Sequence, residues 1–168
     1  MANTEFPTHN YSIPGTYDVS LIVMDARGCR DTLISPQFVE IFLPPLSDFD
    51  VSDTVLCLPG NLQVSNLSSN GSSPIVSYVY DFGNGTSVTA PNANTLYSSP
   101  GSYIVELITQ DLNGCSDTAQ KVVQVHPGIQ ANFSAVDSLG CAGTSITFLD
   151  LSTGPPPPVV WSWDFGDG

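Results

Sequence analysis

The sequence predicts an all-β chain of small two-sheet sandwiches set in tandem, and three observations predict it. The chain repeats itself: PGTYDVSLIVMDARGCRDT at 14–32 returns as PGSYIVELITQDLNGCSDT at 100–118. Apolar and polar residues alternate in twos along most segments, the signature of half-buried strands. Turn-forming pairs (Pro59-Gly60, Asn70-Gly71, Pro100-Gly101, Asn113-Gly114) interrupt that alternation at roughly the 8–12-residue spacing of a sandwich.

The repeat sets the domain organisation. Gly15, Tyr17, Val19, Leu21, Asp25, Gly28, Cys29, Asp31 and Thr32 each meet the same residue type 86 positions on, as Gly15 does at Gly101. DFGNG at 81–85 returns as DFGDG at 164–168, and Phe49 and Cys57 return 84 positions on as Phe133 and Cys141. A period of this size belongs to an array of small domains. The expected division is the C-terminal half of a repeat at 1–44, a complete domain at 45–126, and the N-terminal half of a third repeat at 127–168.

Within the complete repeat the elements follow in order. A strand opens at 48–51 with Phe49 and Val51 facing in, and Leu62, Val64 and Leu67 mark the next. Residues 75–81 carry Tyr78 and Tyr80 on one face; a short strand at 86–89 follows the Asn84-Gly85 turn, and another spans 94–97. Residues 102–109 turn Tyr103, Val105 and Leu107 inward, and 118–125 closes the unit. No stretch supports a helix of about ten residues or more. Seven short strands with this punctuation predict an Ig-like β-sandwich. Proline-bearing linkers at 43–45 and 126–128 predict a semi-rigid, extended line of domains.

Charge excludes several partners. Sixteen acidic residues face three basic ones (Arg27, Arg30, Lys121), for a net charge of −13. Binding nucleic acid or an anionic membrane needs clustered Lys and Arg, so neither is expected. No apolar run approaches the length of a membrane span, and the N-terminal MANTEFPTHN lacks the basic and apolar regions of a secretion signal. An export signal, if the protein uses one, is expected outside this sequence.

The four cysteines occupy two positions of the repeat, an early one (Cys57, Cys141) and a late one (Cys29, Cys115). The complete repeat owns one of each, which predicts a Cys57–Cys115 disulfide. Cys29 and Cys141 would then pair with repeat halves elsewhere in a longer chain or in a neighbouring molecule. The alternative is four reduced, buried thiols. A bridge of this kind implies an oxidising, extracytoplasmic setting. Catalysis finds no footing: there are two histidines, His9 and His126, and no nucleophile elbow, zinc helix or phosphate loop. Asp81 and Asp164 hold the same position in separate repeats and cannot share one site. Asp48, Asp50 and Asp53 cluster where the chain enters the complete repeat and are the candidates for calcium, against an ordinary solvated strand face.

Together these segments resemble the PKD domain: Trp163-Asp164-Phe165-Gly166-Asp167-Gly168, the strand from Ile146 through Phe148 and Asp150 to Ser152, and Pro100-Gly101-Ser102-Tyr103 running on to Val105 and Leu107. The middle repeat departs from the pattern in Tyr80 for Trp and Asn84 for the second Asp. The resemblance implies that the aromatic at 80 or 163 anchors the core, that Asp81 and Asp164 accept hydrogen bonds from the following turn, and that Tyr103 forms a tyrosine corner. The Gly-Cys-Ser-Asp-Thr turn is similar to repeats in surface proteins of Bacteroidota, including gliding adhesins and type IX secretion cargo. Asp-Thr/Ser-aliphatic triplets containing Thr32, Thr54, Thr118 and Ser138 resemble an O-glycosylation signal of that group, against ordinary turn-into-strand chemistry. The expectation is a non-enzymatic extracellular spacer, stalk or filament whose partners are adjacent repeats, with head-to-tail self-association, other surface proteins or polysaccharide as further partners. The alternative is an accessory carbohydrate- or protein-binding module of a secreted hydrolase. No cofactor beyond calcium is implied.

Overall fold

The computed structural model describes residues 4–167, and among them every regular element is a strand. Two long strands, β1 (Gly15–Met24) and β2 (Arg30–Ile41), form an antiparallel hairpin ahead of the central unit. The central unit contains β3 (Phe49–Val51), β4 (Val55–Cys57), β5 (Gly60–Asn66), β6 (Ile75–Asp81), β7 (Ser87–Val88), β8 (Ala93–Tyr97), β9 (Gly101–Asp111) and β10 (Ser116–His126). Beyond it, β11 (Phe133–Ala135) pairs with β12 (Phe148–Asp150).

The central strands form two sheets, β4-β10-β9-β6-β7 and β3-β5-β8. Their facing sides alternate as the sequence predicts and close one core. Phe49, Leu62, Val64 and Tyr97 come from the smaller sheet; Tyr80, Val105, Leu107, Val123 and Val125 come from the larger one, with Phe82 just past its β6 strand. Tyr80 sits at the centre, edge-on to Phe49 (5.6 Å between centroids, 87°) and stacked on Phe82 at 6.0 Å. Its hydroxyl donates to the Pro91 carbonyl, and that of Tyr97 donates to the Phe82 carbonyl at 2.9 Å. Burial pushes both phenols up to about 12; Tyr78 adds to the effect at Tyr80, and Tyr103 and Asp81 add to it at Tyr97.

The expected strand at 75–81 matches β6 at both ends, while β4 is absent from the sequence reading. Three residues are too few to alternate visibly, and β4 exists because it pairs in parallel with the end of β10. Leu67 is exposed and contributes nothing to the core; Phe82, which no strand pattern singled out, is fully buried in it.

Local hydrogen bonding recurs along the chain at the spacing of the sequence repeat. The Leu46–Ser69 bridge has a counterpart in Gln130–Thr153. Ser68 Oγ donates to the Asp48 carbonyl as Ser152 Oγ does to the Asn132 carbonyl. Gly83 N donates to Asp81 Oδ1 at 2.8 Å, and Gly166 N to Asp164 Oδ1 at 2.9 Å, as the motif implies. The tyrosine corner also forms twice: Tyr103 donates to Ser99 O and Tyr17 to Ile13 O.

Candidate functional site

The two ends of the central sandwich differ in what they carry. At the entry pole, Ser47 N donates to Asp117 Oδ2 (2.7 Å) and Ser47 Oγ pairs with Thr109 Oγ1 (2.8 Å), tying the incoming chain to the start of β10. The β9–β10 turn stands there. Asp111, 2% exposed, accepts from Asn113 N and Cys115 N through Oδ1, and Gly114 takes the positive φ of 85° that closes the turn. At the exit pole, His126 lies opposite Cys57 in the parallel β4–β10 ladder, and Leu58 N donates to the His126 carbonyl.

This polarity overturns the expected Cys57–Cys115 disulfide. All four cysteines are free thiols; Cys29, Cys57 and Cys141 are exposed and Cys115 is half-buried. Cys115 precedes the first residue of β10 and Cys57 lies beside its last, a separation of roughly 30 Å or more at ~3.3 Å per residue. A disulfide needs Cα atoms within about 7 Å. Position within a repeat measures distance along the chain, whereas bridging depends on the pole each turn occupies.

The acidic candidates are engaged apart from one another, and Asp50 Oδ1 accepts the Val51 N–H at 2.9 Å. Asp50 Oδ1 meets Lys121 Nζ at 3.4 Å, and that ammonium also lies 5.4 Å from the Phe49 ring centroid. Asp48 and Asp53 accept backbone N–H groups of Phe49 (2.8 Å) and Val55 (3.0 Å). Among the described residues no three His, Cys, Asp or Glu side chains converge as a metal-binding group. Thr32, Thr54, Thr118 and Ser138 are all exposed, and Asp31 Oδ1 accepts the Thr32 N–H at 2.9 Å.

An apolar concave surface lies in 129–165. Phe133, Phe148, Trp161, Trp163 and Phe165 line an open trough of about 570 Å³. Phe133 meets Trp163 edge-on at 5.4 Å, and Trp163 stacks on Phe165 at 6.3 Å. Trp161 Nε1 donates to Asp150 Oδ2 at 2.8 Å. Hydrogen bonds from Ser152, then from Trp161, hold the Asp150 carboxyl below its usual range. These positions correspond to the core of the central unit: Phe133 to Phe49, Phe148 to Val64, Trp163 to Tyr80 and Phe165 to Phe82. The hairpin β1–β2 is the complementary case. Its Val19, Leu21 and Val23 are exposed, whereas the matching Val105, Leu107 and Thr109 of β9 are fully buried. Sequence periodicity found both sets of residues and could not show that their faces are open.

Two antiparallel-rich sheets around an aromatic core, with a tyrosine corner, define an Ig-like β-sandwich. The chain belongs to the PKD domain family through residues 45–127, which match the family's sequence profile. Over 60 residues it is 43% identical to the pre-pro-metalloprotease PrtV of Vibrio cholerae, covering 36% of this chain and 6% of that protein. Human polycystin-1 is 29% identical over 167 residues, which is 95% of this chain and 4% of that one. The chain thus spans only a small part of the curated relatives it matches. Among solved structures, the PKD1 domain of Vibrio cholerae PrtV is 35% identical, covering 49% of this chain and 98% of that one at a TM-score of 0.45. A protein described as a carbohydrate-binding module of the β-sandwich superfamily is 24% identical, covering 54% and 44%, at 0.48.

Proposed function

We propose that this chain is a non-enzymatic spacer of an extracellular surface protein built from tandem PKD-like domains, of the adhesin-stalk kind. In this organisation 1–44 and 127–168 are halves of neighbouring repeats flanking the domain at 45–126. The observation that carries the proposal is the recurrence, 84 residues on, of the hydrogen bonds to one carbonyl: Leu67 N and Ser68 Oγ donate to Asp48 O as Leu151 N and Ser152 Oγ do to Asn132 O. The poles support it, because chain enters at one end of the sandwich and leaves at the other, as a bead on a string requires. The net charge of −13 keeps such a stalk soluble and its strands apart. His9 and His126 are the chain's two histidines, and among the described residues no three His, Cys, Asp or Glu side chains converge.

Force spectroscopy on the full chain tests it. Stretching should give one discrete event for 45–127, releasing a contour of roughly 270–300 Å less the folded length. A featureless extension would overturn the mechanical role. A second reading, an accessory module of a secreted hydrolase, is favoured by the Trp161 and Trp163 rings in the open trough. Retention of the chain on immobilised polysaccharide, lost in Trp161→Ala, would establish it in place of the spacer. No retention is expected.

A further inference from the structure

We propose that the trough in 129–165 takes the β1–β2 hairpin of a second copy of this chain, and that a disulfide between Cys57 and Cys29 of the second copy locks the joint. The inference rests on reading the flanking segments as repeat halves, and it adds what joins them. The central sandwich is the template. There β6 pairs with β9 so that Tyr80 faces Leu107, Val79 faces Ile108 and Tyr78 faces Thr109. Carried over by the repeat, Trp163 faces Leu21 of the second copy, Ser162 faces Ile22 and Trp161 faces Val23.

Three observations favour this occupant. Residues 161–164 have no strand partner, although their counterpart β6 is paired on both sides, which leaves backbone N–H and C=O groups open to an added strand. The hairpin offers the matching apolar row: Leu21 is 59% exposed where Leu107 is 0%. The register also relieves charge, because Ser20 of the second copy would lie opposite Asp164, where the central domain sets Glu106 against Asp81.

The cysteine pairing follows from the poles. Cys57 lines a cavity at the exit pole together with His126 and the loop Pro156–Val160 of the next segment. In the central domain the corresponding stretch, 73–77, contacts the β9–β10 turn: Leu112 N donates to Pro74 O, and Ile75 pairs with Asp111. The β1–β2 turn has the same internal bonds, with Asp25 Oδ1 accepting from Arg27 N and Cys29 N. A docked hairpin therefore brings its Asp25–Cys29 turn onto the loop that walls Cys57. By the same geometry Cys141 meets Cys115 of the second copy. Each bridge forms as two S–H bonds give way to one S–S bond, with two electrons and two protons passing to a small-molecule disulfide that leaves as two thiols. The contact is head-to-tail and open-ended, so it propagates.

The full chain carrying Cys115→Ser and Cys141→Ser, which keeps only Cys29 and Cys57, is reduced and then exposed to oxidised glutathione. Non-reducing electrophoresis should show a ladder, and peptide mass spectrometry a Cys29–Cys57 link. Leu21→Asp, on an exposed strand face, should cut the ladder about tenfold, equivalent to about 1.4 kcal/mol of docking. Sedimentation of the reduced chain should show oligomers that grow with concentration and with salt between about 0.05 and about 0.5 M, as repulsion between acidic copies is screened. Monomer under all conditions, a Cys29–Cys57 link within one chain, or a ladder indifferent to Leu21→Asp overturns the proposal. A monomer that retains the discrete unfolding event of 45–127 defeats the docking alone and leaves the spacer function standing.

Discussion

The central sandwich and its flanking segments share one pattern of residues and differ in burial. Asp111 and Asp25 organise the same turn with the same bonds, Oδ1 accepting from Cys115 N and from Cys29 N at 2.9 Å in each case. Yet Asp111 is buried and Asp25 is exposed. Likewise Phe82 is 0% exposed and Phe165 is 63% exposed in motifs that differ by one residue. Turns, corners and strand alternation are thus set by neighbouring residues, whereas a core needs the opposite sheet. Secondary structure can persist in these segments while the stabilisation that comes from removing apolar area from water is missing.

Matched substitutions sharpen that contrast. The largest effect is expected from Phe82→Ala, which should cost about 3–5 kcal/mol by leaving a cavity beside Tyr80. Phe165→Ala should cost about 0.5 kcal/mol or less in the dilute monomer. Urea denaturation followed by near-ultraviolet circular dichroism compares the two, and equal losses would erase the distinction between closed and open cores.

A smaller effect is expected from alkaline pH. The Tyr80 and Tyr97 phenols titrate at about 12 when folded, above their ordinary value of about 10. The folded chain therefore holds these protons more tightly than the unfolded one. The resulting stability is fully present below pH ~10 and is lost as pH rises from ~10 to ~12, at about 1.4 kcal/mol per pH unit for each tyrosine. Unfolding midpoints measured at successive pH values check this, and Tyr80→Phe should halve the slope. The smallest effect belongs to the corners. Tyr103→Phe removes the bond to Ser99 O and should cost about 1 kcal/mol, while Tyr17→Phe should leave the main transition unmoved.

What the sequence disclosed divides along the same line. Alternation located β6 to the residue, and the motif's Asp81 and Tyr103 bonds form as expected, because each depends on residues close in the chain. β4 went unread because three residues carry no periodicity and its reason to exist is a partner some 70 residues away, as Val55 is from Gln124. Phe82 was missed as core because it follows the strand and enters the interior through the turn. The disulfide expectation failed for a different reason. Two turns of one small domain can face opposite ends of it, and the intervening length of β10 decides that. The hairpin β1–β2 adds a further case. A bulge between Tyr17 and Val19, with Gln37 at a φ of 51°, shifts the register so that Tyr17 faces Val39, where a strict 86-residue correspondence would have put Gln37.

The parallel pairing of β4 with the end of β10 bears on how the central domain carries load. Chain leaves directly from β10, whose final residues are bonded to β4 on one side and β9 on the other. Tension applied between the two ends of the central domain pulls β10 lengthwise past both neighbours, so their hydrogen bonds resist together in shear. A terminal strand peeled from a sheet edge would instead surrender them one at a time.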